Sequence, residues 1–157
     1  PNMELELYAN ATPQILEKLL DYTLDIAFIT GSPSNKDLMI LNKFNDDLYL
    51  VESLNQKKNN CLIGYKKDSS HYKFLVEFEK NQNNLDFKTI FIENYEVMLG
   101  CVKSGMGKAY LSKKIIDKYG YTNDLKLTKL PNELETYLVC RKDYEPMISE
   151  YLKKIKF

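Results

Sequence analysis

The sequence predicts an α/β fold arranged as two lobes, from three observations. Short apolar runs alternate with amphipathic stretches at helical spacing along the chain, the pattern of strands with helices on both faces of a sheet. The run at 24–30 (Leu-Asp-Ile-Ala-Phe-Ile-Thr) is apolar nearly throughout, as in a parallel-sheet strand covered on both faces. A polar stretch rich in Asn and Lys at 54–60 breaks the pattern. It reads as a boundary, with 1–52 and 136–157 in one lobe and 53–135 in the other.

Each element has its own signal. Residues 3–8 set Met3, Leu5 and Leu7 against Glu4 and Glu6, a strand with one wet face near a sheet edge. Thr12 followed by Pro13 starts a helix, Thr12 as N-cap and Pro13 in the first turn. Ile15, Leu16, Leu19 and Leu20 form its apolar stripe. The strand at 24–30 follows, then a loop at Gly31-Ser32-Pro33-Ser34-Asn35. This opening is a right-handed βαβ unit. Strands are expected at 47–52 and 61–65. Ser69 or Ser70 caps a helix to about Lys80, with Tyr72, Leu75, Val76 and Phe78 inward. After a strand at 87–92, Asn94 caps a helix whose stripe is Val97, Met98, Cys101 and Val102, and Gly105 stops it. A buried strand at 108–111 and a helix from Ser112 to Tyr119-Gly120 come next. Strands at 125–130, ended by Pro131, and at 136–140 precede an amphipathic helix at 146–155. No internal repeat of solenoid period appears.

Composition narrows the function classes. At 157 residues the chain holds one domain or two small lobes. Lys plus Arg and Asp plus Glu are 22 each. A neutral chain has no general attraction to phosphate backbones or anionic lipid, so this chain alone is not expected to bind duplex DNA. No apolar run has the length of a membrane span, and no signal peptide opens the chain. Its start, Pro1-Asn2-Met3, reads as the interior of an ordered segment and so as a fragment. Cys61, Cys101 and Cys140 lie far apart in apolar segments. Buried free thiols in a reducing cytoplasm fit them better than a disulfide or zinc site. No cofactor, metal or catalytic residue is expected.

The chemical motifs are weak. Gly105-Met106-Gly107 lacks the third glycine and the preceding strand of a dinucleotide fingerprint, and reads as a tight turn. His71, the only histidine, has no nucleophile in a recognisable motif and is expected at the surface. Asp46-Asp47 reads as a turn, and Glu77 and Glu79 as a solvated pair. Most lysine pairs are solvated faces, but Lys66-Lys67 follows a strand, where ligands bind in α/β sheets. Three helix starts with hydroxyl or amide caps recur after strands: Thr12, Ser69 with Ser70, and Asn94. Such starts offer backbone N–H groups and partial positive charge, suited to a small anion.

The wording of two blocks resembles a known family. Met3-Glu4-Leu5-Glu6-Leu7, Thr12, Ile15-Leu16-Glu17-Lys18-Leu19-Leu20 and Leu24-Asp25-Ile26-Ala27-Phe28-Ile29 are similar to the acidic strand, capped helix and apolar strand of LysR-type effector-binding domains. Asp47-Leu48-Tyr49-Leu50-Val51 resembles the strand crossing to the second lobe. Val102-Lys103-Ser104-Gly105-Met106-Gly107-Lys108-Ala109-Tyr110-Leu111 resembles the family's glycine turn and the strand after it. Tyr137-Leu138-Val139-Cys140-Arg141-Lys142 resembles its late crossing strand. Ser112 departs from the family's usual proline, and the chain opens at what would be the second strand.

The resemblance implies a two-lobed, periplasmic-binding-protein-like fold (type 2), truncated at its N-terminus, with an effector held between the lobes. It implies a cytoplasmic, homodimeric regulator that reaches promoter DNA through a helix-turn-helix domain outside this chain. The expected ligand is a small polar or anionic metabolite. Its expected contacts are Ala11, Thr12, Thr30 and Gly31 from one lobe and Lys66, Ser69, Ser70 and Asn94 from the other. Arg141 is the sole arginine and sits at a strand exit, so a bidentate arginine clamp is not expected. A transporter's solute-binding protein and an enzyme on the same fold are the competing readings; fold alone does not separate them.

Overall fold

Ala27 and Ile29 turn their side chains toward Leu19, and this contact organises the first of two compact units. The structure is a computed structural model that describes residues 6–55 and 60–154, the side chain of Asn132 excepted. One unit comprises the described residues up to Phe44 and from Thr136 on, the other those within Asn45–Glu135.

In the first unit, helix α1 (Thr12–Leu20) packs on strand β1 (Ile26–Thr30). Strand β2 (Leu38–Ser53) starts in this unit, and the last strand, β6 (Leu125–Arg141), ends in it. β1 pairs antiparallel with β6, Ile26 opposite Cys140 and Thr30 opposite Thr136. The strand period of two sorts side chains between the faces. Leu19, Ala27, Ile29, Leu38, Tyr137 and Val139 make the core under α1. Leu41, Leu138 and Cys140 form the other face, with Ile26 and Leu152 against them. Leu152 belongs to α5 (Ser149–Leu152).

The second unit contains a parallel pair, β3 (Cys61–Gly64) and β4 (Lys88–Phe91), with helix α2 (Ser70–Asn81) in the crossover between them. Helix α3 (Tyr95–Lys103) leads through the glycine turn to β5 (Ala109–Ser112), which pairs antiparallel with β2. Helix α4 (Lys113–Lys118) follows. Met98, Leu99, Val102, Ala109, Leu111 and Ile116 share one core cluster, while Leu62, Leu75 and Tyr110 share another. Gly107 is required by close approach: a Cβ there would lie 2.6 Å from the Cys61 carbonyl oxygen. That same carbonyl accepts the N–H of Lys108 at 2.9 Å. The four-stranded sheet has the order β1-β6-β2-β5.

Several expectations are corrected. Of the strand expected at 3–8, residues 3–5 lie outside the described residues, and Glu6, Leu7 and Tyr8 adopt no strand. The apolar run at 24–30 belongs to an antiparallel pair and leaves Phe28 45% exposed. The exposure of Phe28 shows that one face of the strand is only partly covered, so its apolar content does not report the direction of its β6 neighbour. The strands expected at 125–130 and 136–140 are one strand, since proline's fixed φ is compatible with extended backbone and Pro131 does not stop β6. Of the closing helix expected at 146–155, Ile155 lies outside the described residues, and among the described ones the helix is α5, four residues long.

Candidate functional site

On the first unit, Thr12 does not cap α1. The N-cap is Ala11, which makes no side-chain cap bond, and Pro13 stands in the first turn. The Thr12 hydroxyl oxygen instead accepts the backbone N–H of Thr30 at 3.1 Å, tying the start of α1 to the end of β1. The Ala11 N–H donates to the Asn10 side chain at 2.9 Å and is not turned to a ligand. Gly31 follows β1 with φ of +88°, a left-handed conformation that suits glycine.

Thr12, Thr30 and Gly31 line one pocket of about 310 Å³. Its apolar wall is Leu16 and Leu20 of α1 with Ile29 and Leu38. Ser32, Ser34 and Asn35 complete the polar rim. Sequence reasoning saw 31–35 only as a loop. The signal that could have placed it was its hydroxyl content immediately after an apolar strand.

On the second unit, the expected residues lie at the carboxyl ends of the neighbouring strands β3 and β4. Ser69 caps α2, accepting the Tyr72 N–H at 3.3 Å and donating to the Lys66 carbonyl at 2.7 Å, so its hydroxyl is engaged on both sides. The Ser70 hydroxyl makes no hydrogen bond among the described residues. Asn94 caps α3, accepting the Val97 N–H at 3.0 Å. The Lys66 ammonium lies 3.1 Å from Glu93, and this carboxylate raises its pKa above the ordinary lysine value. Lys66 is therefore neutralised locally. Beside it Tyr65 stacks on Tyr95, ring centres 4.6 Å apart.

Glu79 and His71 depart from their expected surroundings, and Arg141 is engaged away from any ligand. Glu79 is buried, bonded to Lys108 Nζ at 2.6 Å, to the Tyr110 hydroxyl at 2.9 Å and to the Asn84 amide. Burial pushes its carboxyl up, but these donors outweigh burial and hold it below its usual value. The solvated reading of Glu79 fails because α2 turns this position onto Tyr110. His71 is half-buried in the first turn of α2, its Nε2 without a hydrogen-bond partner. Desolvation lowers its pKa to about 4, against a smaller opposing effect of Asp46. Arg141 is buried, its Nη1 donating to the carbonyls of Leu19 at 2.6 Å and Leu24 at 2.5 Å. The guanidinium thus binds backbone.

The fold is periplasmic-binding-protein-like, type 2, as in the regulatory domains it superimposes on. The regulatory domain of HypT from Salmonella typhimurium, apo form, has a TM-score of 0.72 at 16% identity, over 92% of this chain and 76% of that one. The effector-binding domain of QuiR in complex with shikimate has a TM-score of 0.69 at 17% identity, over 92% of this chain and 75% of that one. At these identities the likeness shows the fold alone. In sequence, the chain is 24% identical over 169 aligned positions to the HTH-type transcriptional regulator GltR of Bacillus subtilis (strain 168), covering 99% of this chain. The chain spans 57% of that regulator's length. The LysR substrate binding domain family matches residues 1–149, and the chain belongs to that family.

Proposed function

We propose that this chain is the effector-sensing part of a LysR-type transcriptional regulator and has no catalytic role. The observation that carries the reading is the Thr12–Thr30 pocket. It joins a helix start to a strand end, has an apolar wall, and presents hydroxyls at its rim, the composition of a small-molecule site. The ligand is a small polar or anionic metabolite. Thr12, Thr30 and Gly31 contact it in the first-unit pocket; on the second unit, Ser70, Asn94 and Lys66 are ligand-facing groups of that unit. Ala11 and Ser69 act behind them, holding the local backbone. The whole regulator is a cytoplasmic homodimer that reaches promoter DNA through a helix-turn-helix domain outside this chain. The effector acts by binding one arrangement of that assembly better than the other, which is the only way a ligand shifts such an equilibrium. The HTH-type name of the relative supports the DNA-binding part. The QuiR complex with shikimate supports the small-molecule part.

The test is calorimetric titration of a panel of organic acids, amino acids and polyols into the wild type and a Thr12→Ala, Ser70→Ala double variant. Binding by the wild type and a loss of about 1.5–3 kcal/mol per removed hydrogen bond to a charged ligand are expected. A ligand that binds both proteins equally would refute the assignment.

A further inference from the structure

The first-unit pocket differs from an anion cradle in two respects. Among the described residues lining it there is no lysine, arginine or histidine. The start of α1 is also poor in free donors. Pro13 has no N–H, and the Ala11 N–H is held by the Asn10 side chain at 2.9 Å. Phosphate and carboxylate sites at helix starts rely on several free N–H groups converging on the charge.

What the pocket does present is neutral. The Thr12 hydroxyl accepts from Thr30 and keeps its own proton to donate. The hydroxyls of Thr30, Ser32 and Ser34 make no hydrogen bond among the described residues. The Asn35 side-chain Oδ1 accepts the Asp37 N–H at 2.8 Å, leaving the side-chain NH₂ to donate. Leu16, Leu20, Ile29 and Leu38 supply the aliphatic part of the same lining. A charge placed against that wall loses hydration without a counter-ion. An uncharged ring or chain carrying several hydroxyls pairs with the rim and lays its C–H face on the wall.

We infer that this pocket takes an uncharged, polyhydroxylated ligand with an apolar face. The inference rests on the reading above, that the Thr12–Thr30 pocket is the ligand site, and narrows the ligand class there.

The experiment compares probes that share a skeleton and differ in charge: D-sorbitol against D-gluconate, and myo-inositol against quinate. Each is titrated at millimolar concentration into isotopically labelled protein, following the backbone amides of Thr12, Thr30, Gly31 and Asn35. The neutral member of each pair is expected to shift these amides and to bind about tenfold or more tightly than its charged partner. Leu20→Lys, at a position 37% exposed, adds a cation to the wall and is expected to reverse the preference. Equal or tighter binding of the carboxylates by the wild type overturns the inference while leaving the site in place. Silence of these amides with every probe also overturns it. If the amides of Ser70 and Asn94 respond while these stay silent, the reading of the site fails with it.

Discussion

The Thr12 hydroxyl oxygen accepts the Thr30 backbone N–H at 3.1 Å, across eighteen positions of sequence. Thr12→Val keeps the shape and removes the acceptor, leaving a part-buried N–H unpaired. A loss of about 1–2 kcal/mol in urea unfolding is expected. Ser70→Ala removes a hydroxyl without a hydrogen-bond partner among the described residues and is expected to change stability by less than about 0.5 kcal/mol. Equal losses in the two variants would show that the Thr12–Thr30 bond does not hold α1 to β1.

Glu79 links α2 to Lys108 and Tyr110. Burial alone would raise its carboxyl; the donors from Lys108, Asn84 and Tyr110 outweigh burial and depress it. A depressed carboxylate contributes stability that is full above the unfolded value of about 4.3 and is lost as pH falls through the folded value. Glu79→Ala is expected to cost about 3 kcal/mol near neutrality, the low end for a broken buried pair, because Lys108 retains some solvent contact. The difference from wild type should shrink below pH 4.5. A difference independent of pH would mean that packing, and not charge, accounts for the loss.

His71 has the opposite electrostatic history. Desolvation lowers its pKa from 6.5 to about 4, so the unfolded chain binds more protons than the folded one between those values. Stability therefore rises with pH through this window and the contribution is complete above it. His71→Phe removes the titration and the unpartnered buried Nε2. The expected result is a flatter profile of urea midpoint against pH between 4 and 6.5. A slope unchanged from wild type would place its origin elsewhere.

What the sequence disclosed, and what it did not, follows the reach of each interaction. Ser69 and Asn94 were legible as caps because a cap bonds an N–H three residues on, and helix start, residue type and strand end all lie within one short window. Thr12 has the same residue chemistry, but its partner is eighteen residues away, and nothing local distinguishes that bond from a cap. Glu79 looks like any helical glutamate until β5 brings Tyr110 onto it from 31 positions away. The loop at 31–35 was legible as a turn. Its pocket depends on Leu16 and Leu20 from the preceding helix, a tertiary relation that periodicity does not encode. The joining of 125–130 and 136–140 into one strand was hidden by Pro131, whose turn signal is real but is overridden by pairing.

Arg141 is the longest of these links. Its guanidinium reaches back 122 and 117 positions to the carbonyls of Leu19 and Leu24, closing the last turn of α1 and the chain that leads into β1. Helix ends leave carbonyls without intrahelical partners, and a cation there also meets the negative end of the helix dipole. Tyr22, between those carbonyls, has φ of +68°. Its ring centre lies 4.3 Å from the guanidinium, and its hydroxyl donates to Asp143 at 2.6 Å. A non-glycine residue in the left-handed region carries strain, and these two contacts offset it. Arg141→Lys keeps the charge but cannot reproduce two donors from one planar nitrogen together with the ring contact. A loss of about 2–3 kcal/mol is expected, with Arg141→Met losing more, because buried carbonyls are left unpaired. Hydrogen exchange supplies the sharper readout. In Arg141→Lys the amides of α1 and of Thr23 and Leu24 should exchange faster, relative to wild type, than those of α3 in the other unit. Uniform loss of protection across both units would mean that Arg141 supports global stability and is not the local clasp of α1.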